Sequence, residues 1–297
     1  MRCTAFVVAL VLIAGCASGE RGGARSHGPV PAYSEIAQQF NVRAGPLDRL
    51  WARTVVRAWF RDREGKPHEE QFEGHFQYLR SDRLLLTFDK VGNTYAALGS
   101  NEERYWWIEK QQEGGANAYI GDHDKATPER IEELGLPVHP LSFVDVLGIT
   151  PLPDLPEDGK GSTVEWSHDG ESLVVSAPGR LGQRRLWLDP QTLLPSRIDL
   201  LDSSGSTVLS ASLSKYLPVA LRTPKEGWFP LAPSVIEATR ESDGLRVRMD
   251  LYDPETGGRR PKAAAFDLDA LLTSFGVNQV VHLDDPAPTP PAGAGHP

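Results

Sequence analysis

The sequence predicts an α+β fold, mostly antiparallel β, in which an incompletely closed half β-barrel wraps around short helices. Three observations lead there. Apolar and polar residues alternate with period two over many short segments, the mark of strands with one buried face. Clusters of Gly, Pro, Asp and Ser punctuate those segments about every 8 to 12 residues, the spacing of a meander rather than of βαβ units. One interruption in the middle carries helix signals whose apolar residues cover more than half the circumference, so that segment has to be enclosed. A sheet curled around it buries both at once.

The elements follow in order. Tyr33 to Phe40 reads as a short helix with Ile36, Ala37 and Phe40 on one side. From Leu50 to Phe60 the residues Leu50, Ala52, Thr54, Val56, Ala58 and Phe60 share one face, while Trp51, Arg53, Val55, Arg57 and Trp59 share the other. Asp62 to Lys66 turns the chain, and Phe72, Gly74, Phe76 and Tyr78 alternate with polar residues in a second strand, antiparallel to the first. Leu84 to Phe88, Thr94 to Leu98 and Arg104 to Glu109 continue the series. Thr127-Pro128-Glu129 then signals a helix start, with Gly135 as its stop, and Pro140 opens a second short helix that ends at Gly148. Strand patterns resume at Ser162 to Trp166, Ser172 to Ser176, Arg184 to Leu188, Ser196 to Leu201, Thr207 to Tyr216, Ser234 to Arg240 and Leu245 to Leu251. Asp267 to Phe275 reads as a closing helix.

The two ends differ from this body. Met1-Arg2-Cys3-Thr4, an apolar run from Ala5 to Gly15 and the small residues after it form the n-region, h-region and cleavage site of a signal peptide over residues 1–15. The run is shorter than the roughly 20 residues a membrane span needs. Leu12-Ile13-Ala14-Gly15-Cys16 resembles the bacterial lipobox, which makes Cys16 the expected lipidated N-terminus. Acyl chains at about 0.8 kcal/mol per buried CH₂ would then anchor the chain to a membrane. Cys3 leaves with the signal and Cys16 is alkylated, so the fold has to stand without a disulfide. Residues 16–32 and the Pro- and Ala-rich 284–297 are expected to be a flexible tether and a disordered tail around a single domain at 33–283.

With 297 residues and 40% hydrophobic side chains, the chain is long enough to bury a sizeable core. A net charge of -9 leaves no positive surplus for phosphates and argues against nucleic acid as a partner. The sequence contains no G-x-S-x-G elbow, C-x-x-C pair, H-E-x-x-H helix or phosphate-binding G-x-x-x-x-G-K-[ST]. Gly121-Asp122-His123-Asp124 and His168-Asp169-Gly170 read as polar turns, and His68, Glu69, Glu70, Glu73 and His75 as a solvated hairpin arm. The expectation is a non-enzyme with no metal and no cofactor.

Three segments carry a family resemblance: Leu98-Gly99-Ser100-Asn101 followed by Tyr105-Trp106-Trp107, Leu141 to Gly148, and Leu186-Trp187-Leu188-Asp189-Pro190-Gln191-Thr192-Leu193-Leu194-Pro195-Ser196-Arg197. In the last, a strand ends in an Asp-Pro-x-Thr turn and a following Leu-Pro opens the next strand. Over about residues 33 to 275 the chain resembles the envelope lipoprotein-carrier superfamily, the LolA/LolB-like proteins with their mycobacterial lipoprotein and sigma-regulator relatives. The resemblance implies a half-open barrel capped by helices, whose concave apolar face holds acyl chains of a lipid or lipoprotein. This chain departs from the soluble carrier in its length, its expected lipid anchor and its Pro-rich tail.

Phe60, Phe72, Phe76, Leu84, Trp106, Ile108, Phe143 and Leu147 are the candidate lining. Any one of them serves equally as plain core. Arg53 and Arg57 are weighed as contacts to an anionic head group and favoured as solvated residues opposite the apolar face. The expected function is binding or carrying a lipid or lipoprotein acyl chain from a membrane anchor. The alternative is a non-catalytic envelope interaction or sensor module that binds a protein partner. Ala17, in place of an aspartate after the cysteine, points to the outer membrane facing the periplasm.

Overall fold

The computed structural model describes residues 28–284 apart from 63, 81, 112–113, 127–138, 155–160, 181, 224–226 and 258–262. The signal peptide, Cys16, most of the tether, the tail beyond Asp284 and the helix expected from Thr127 to Gly135 lie outside the described residues.

Fourteen strands form one sheet: β1 (Arg49–Arg61), β2 (Pro67–Leu79), β3 (Arg83–Lys90), β4 (Asn93–Ser100), β5 (Arg104–Lys110), β6 (Ala116–Asp122), β7 (Thr163–Trp166), β8 (Leu173–Pro178), β9 (Gln183–Leu188), β10 (Pro195–Leu201), β11 (Thr207–Pro218), β12 (Leu231–Arg240), β13 (Leu245–Glu255) and β14 (Val277–His282). Their order is β14-β6-β5-β4-β3-β2-β1-β13-β12-β11-β10-β9-β8-β7. Every neighbouring pair is antiparallel except β14 and β6. The helices are α1 (Tyr33–Ala44), α2 (Pro140–Val146) and α3 (Leu268–Phe275), with short 3₁₀ turns at His123–Lys125 and Ala263–Phe266.

The sheet is curled and not closed. Its helix α2 touches both β4 and β10, which stand seven places apart in the strand order. At about 4.8 Å per strand a flat sheet would separate them by roughly 34 Å, whereas a seven-residue helix is only about 10 Å long. Arg180, on the β8–β9 hairpin, also reaches Asp82 in the β2–β3 turn. One corner is built into Gly74, where an added Cβ would meet the Thr87 carbonyl oxygen at 1.9 Å. The regular ladder lapses there, and His75 N–H donates to the Thr87 hydroxyl instead (3.1 Å).

Two layers of core result. On the inner face, Leu50, Ala52, Val56, Phe76, Leu84, Leu86, Leu98, Leu186, Ile198, Leu213, Ile236 and Met249 pack on Ile36, Ala37 and Phe40 of α1 and on Val144 and Leu147 of α2. On the outer face, α3 covers β4–β6 through Leu268, Leu271, Leu272 and Phe275. The helix α1 runs four residues past its expected end. The strands β6 and β14 carry no counterpart in the sequence reading; both belong to the edge that α3 stabilises.

Candidate functional site

The hollow of the half-barrel is divided by α2. Pro140 stands at its first position, and His139 caps it, its Nδ1 accepting the Leu141 N–H at 3.1 Å. Gly148 ends the segment with φ +64°, and a Cβ there would meet Pro195 Cγ at 2.8 Å. A polar tie fixes the helix to the sheet. Asp145 pairs with Arg184 of β9 at 3.4 Å, both side chains almost fully buried, and accepts the Arg180 N–H at 3.3 Å. The Arg184 guanidinium also donates to the Thr150 carbonyl at 3.2 Å and to that of Pro151. A second buried cation, Arg43 of α1, donates to the carbonyls of Gly148 (2.8 Å) and Leu231 (3.2 Å) and lies over the Phe40 ring. Burial holds its pKa below the usual arginine value.

Behind α2 the space is filled: Phe40, Phe76, Leu84, Leu147 and Ile149 are at most 1% exposed. Ahead of it, the apolar face continues in residues that are only partly buried, Phe72, Trp107, Phe143 and Val247, with Tyr95 stacked on Phe72. Phe143 projects from α2 onto Phe76 with ring centroids 5.9 Å apart and stays half-buried. Beyond it lie Phe72, edge-on to Phe88 at 5.6 Å, and Trp107, tilted on Phe88 at 5.4 Å, with Val247 on β13. At the rim, Phe60 is 37% exposed and stacks on His68. Lys90 stands 4.7 Å over the Phe72 ring and pairs with Glu70 at 2.5 Å. The Trp107 indole donates to Glu109 at 3.1 Å.

The eight expected lining residues therefore fall into three groups. Phe60, Phe72 and Phe143 share the open end. Phe76, Leu84 and Leu147 share the same face but are enclosed by the helices. Trp106 and Ile108 were expected on this face and are not on it: they lie on the outer face beneath Leu268 and Phe275 of α3. Strand alternation gives the reason, since Trp107 packs inward and its two neighbours must point away. Trp107 was missed because Tyr105-Trp106-Trp107-Ile108 is buried on both sides and shows no alternation. The signal that could have found it is the apolar stripe of α3, which needs a second buried sheet face to rest on.

Other candidates fall on surfaces. Arg53 pairs with Asp253 at 2.7 Å, and Arg57 donates to Gln71 at 2.8 Å, both on the outer face. Asp169 receives the Ser167 hydroxyl and the Glu171 N–H in an exposed turn, so His168-Asp169-Gly170 is a loop built by its aspartate. His123 is the exception to its polar-turn reading, because its ring stacks on Tyr105 (5.8 Å) and meets His139 (5.5 Å). Burial, then the neighbouring His123 and Arg180, push the His139 pKa down to about 3. Among the described residues, no group of three or more His, Cys, Asp or Glu gathers to hold a metal, and no helix is long and apolar enough to cross a membrane.

No family model matches the chain, and no curated protein matches it. Solved structures do. A Vibrio parahaemolyticus domain assigned as an outer membrane lipoprotein-sorting protein superposes with a TM-score of 0.49 at 11% identity, covering 80% of this chain and 97% of that one. A LolA superfamily protein from Nitrosomonas europaea gives 0.45 at 11% identity over 77% of this chain and 95% of that one. A DUF1329 family protein from Desulfovibrio piger superposes with a TM-score of 0.49 at 14% identity over 80% of this chain and 98% of that one. The half-barrel itself is read from strand order, register and the curl around α2, because these scores stay below 0.5.

Proposed function

We propose that the chain is an envelope lipoprotein, tethered through a lipidated Cys16 at the outer membrane, that holds an acyl chain of a lipid or lipoprotein in the open end of its half-barrel without catalysing a reaction. The observation that carries this reading is the floor ahead of α2. Phe60, Phe72, Trp107, Phe143 and Val247 extend the closed core outward as one apolar face, while Arg53 and Arg57, alternating with them on β1, turn to solvent. The resemblance of Leu141 to Gly148 and of the Leu186 to Arg197 turn to the envelope carriers supports the same reading.

The chemistry asked of such a site is transfer of hydrocarbon between two apolar phases. An acyl chain gains about 0.8 kcal/mol per CH₂ on leaving water, whether it enters a bilayer or the hollow. The two gains nearly cancel, so exchange is reversible and needs no covalent step. Shape and aromatic contact at Phe72 and Phe143 then decide residence.

The deciding experiment is mass spectrometry of lipid extracted from a Cys16→Ser variant released as a soluble protein. Stoichiometric acyl lipid is expected, and it should be depleted severalfold in Phe72→Glu and Phe143→Glu. A protein that emerges lipid-free after gentle purification would instead be an interaction module whose exposed apolar rim meets a protein partner.

A further inference from the structure

A second recessed site lies outside the hollow, formed by three segments: the α1–β1 link, the β11–β12 connection and the end of β13. Pro46, Asp48, Arg49, Leu221, Arg222, Thr223 and Thr256 line a cleft of about 240 Å³. Its walls are stapled together. Thr256 N–H donates to the Ala220 carbonyl at 2.8 Å, Ala220 N–H to that of Pro254 at 3.3 Å, and Arg222 N–H to the Thr256 hydroxyl at 3.2 Å. Thr256 is 6% exposed, whereas Asp48, Arg222 and Thr223 stand at the surface, so the cleft opens directly to solvent.

The lining has a definite chemistry. Two guanidinium groups, Arg49 and Arg222, and the Thr223 hydroxyl supply donors. Against them stands one carboxylate, Asp48, whose Oδ1 lies 3.6 Å from Arg49 Nε. Arg222 takes part in no ion pair among the described residues. Among the described lining residues the positive charges thus outnumber the negative, in a chain whose formal charge is -9. The volume of the cleft admits a compact anion. Guanidinium forks match phosphate oxygens two at a time, and a phosphate offers two arginines more charge and more acceptor oxygens than a monocarboxylate does.

We propose that this cleft binds a small phosphate-type oxyanion, with Arg49 and Arg222 as its two cationic contacts and Thr223 as a neutral donor. The site is independent of the acyl-chain reading. The test is isothermal titration of inorganic phosphate, and separately of acetate, into the full-length protein in detergent. Phosphate should bind more tightly than acetate, and Arg49→Gln and Arg222→Gln should each weaken it by about tenfold, since a charge-assisted hydrogen bond contributes about 1.5–3 kcal/mol. Arg53→Gln, on the outer face, should titrate like the parent. Because Arg222 is exposed on a connection, its variant keeps the fold, and an unchanged melting temperature verifies this. No binding of phosphate, equal binding of acetate, or undiminished binding in Arg222→Gln each overturns the proposal.

Discussion

His139 is 3% exposed and must accept the Leu141 N–H through Nδ1 to start α2, so the fold requires its neutral form. Its pKa falls from 6.5 to about 3, first through burial and then through His123 and Arg180. Among the described residues the groups that face it are Tyr105, His123 and Arg180, none of which can stabilise an imidazolium as an anion would. Because the folded pKa lies below the unfolded one, the stability is fully present above about pH 6.5 and is lost as pH falls toward 3. At pH 5 the loss amounts to about 2 kcal/mol. His139→Asn keeps a capping side chain and should flatten the stability slope between pH 7 and 5, measured by urea unfolding at each pH. A slope equal to the parent's would refute this account. Asp145 offers a second residue-level test. Removing it in Asp145→Ala leaves the Arg184 cation buried and should cost about 3–5 kcal/mol of unfolding free energy, with loss of α2 packing seen in near-UV circular dichroism.

At the scale of elements, β2 can bend because Gly74 brings its backbone against Thr87. Gly74→Ala forces those backbones apart and should lower the melting temperature by more than Gly65→Ala, whose site in the β1–β2 turn has open space but φ +79°. A smaller loss at Gly74 than at Gly65 would remove the corner from its role. The elements also differ in how far the sequence exposed them. The strands β1 and β2 were legible because one face is apolar and the other charged, from Leu50 to Phe60 and from Phe72 to Tyr78. The strand β6 was not, since Ala116, Ala118 and Tyr119 present small or two-sided apolar groups with little period-two contrast. The strand β14 was missed for another reason: it pairs in parallel, so no hairpin turn announces it, and Asn278, Gln279 and Val280 are exposed. For the site, the inward parity of Phe60, Phe72 and Phe76 was readable, while the parity of Trp106 and Ile108 was hidden by burial on both faces.

For the molecule as a whole, the open half-barrel depends on helices packed against the inner face of its curled sheet. Enlarging Ala37 or Ala44 on the inner side of α1, both at most 4% exposed, should displace α1 rather than the central strands. Ala44→Phe is expected to speed amide exchange over Tyr33–Ala44 and leave β1 and β13 protected; uniform exchange across the sheet would contradict it. The paths by which the two ends leave the domain differ as well. Asp284 follows β14 at the border of the sheet, whereas Gly28, held by the Trp166 indole at 3.1 Å, leads through α1 directly into β1, midway between β2 and β13. Under mechanical load the two handles are therefore unequal: tension from the carboxyl side can peel away a peripheral six-residue strand, while tension from the amino side has to draw out the plug and then shear a thirteen-residue strand bonded on both flanks.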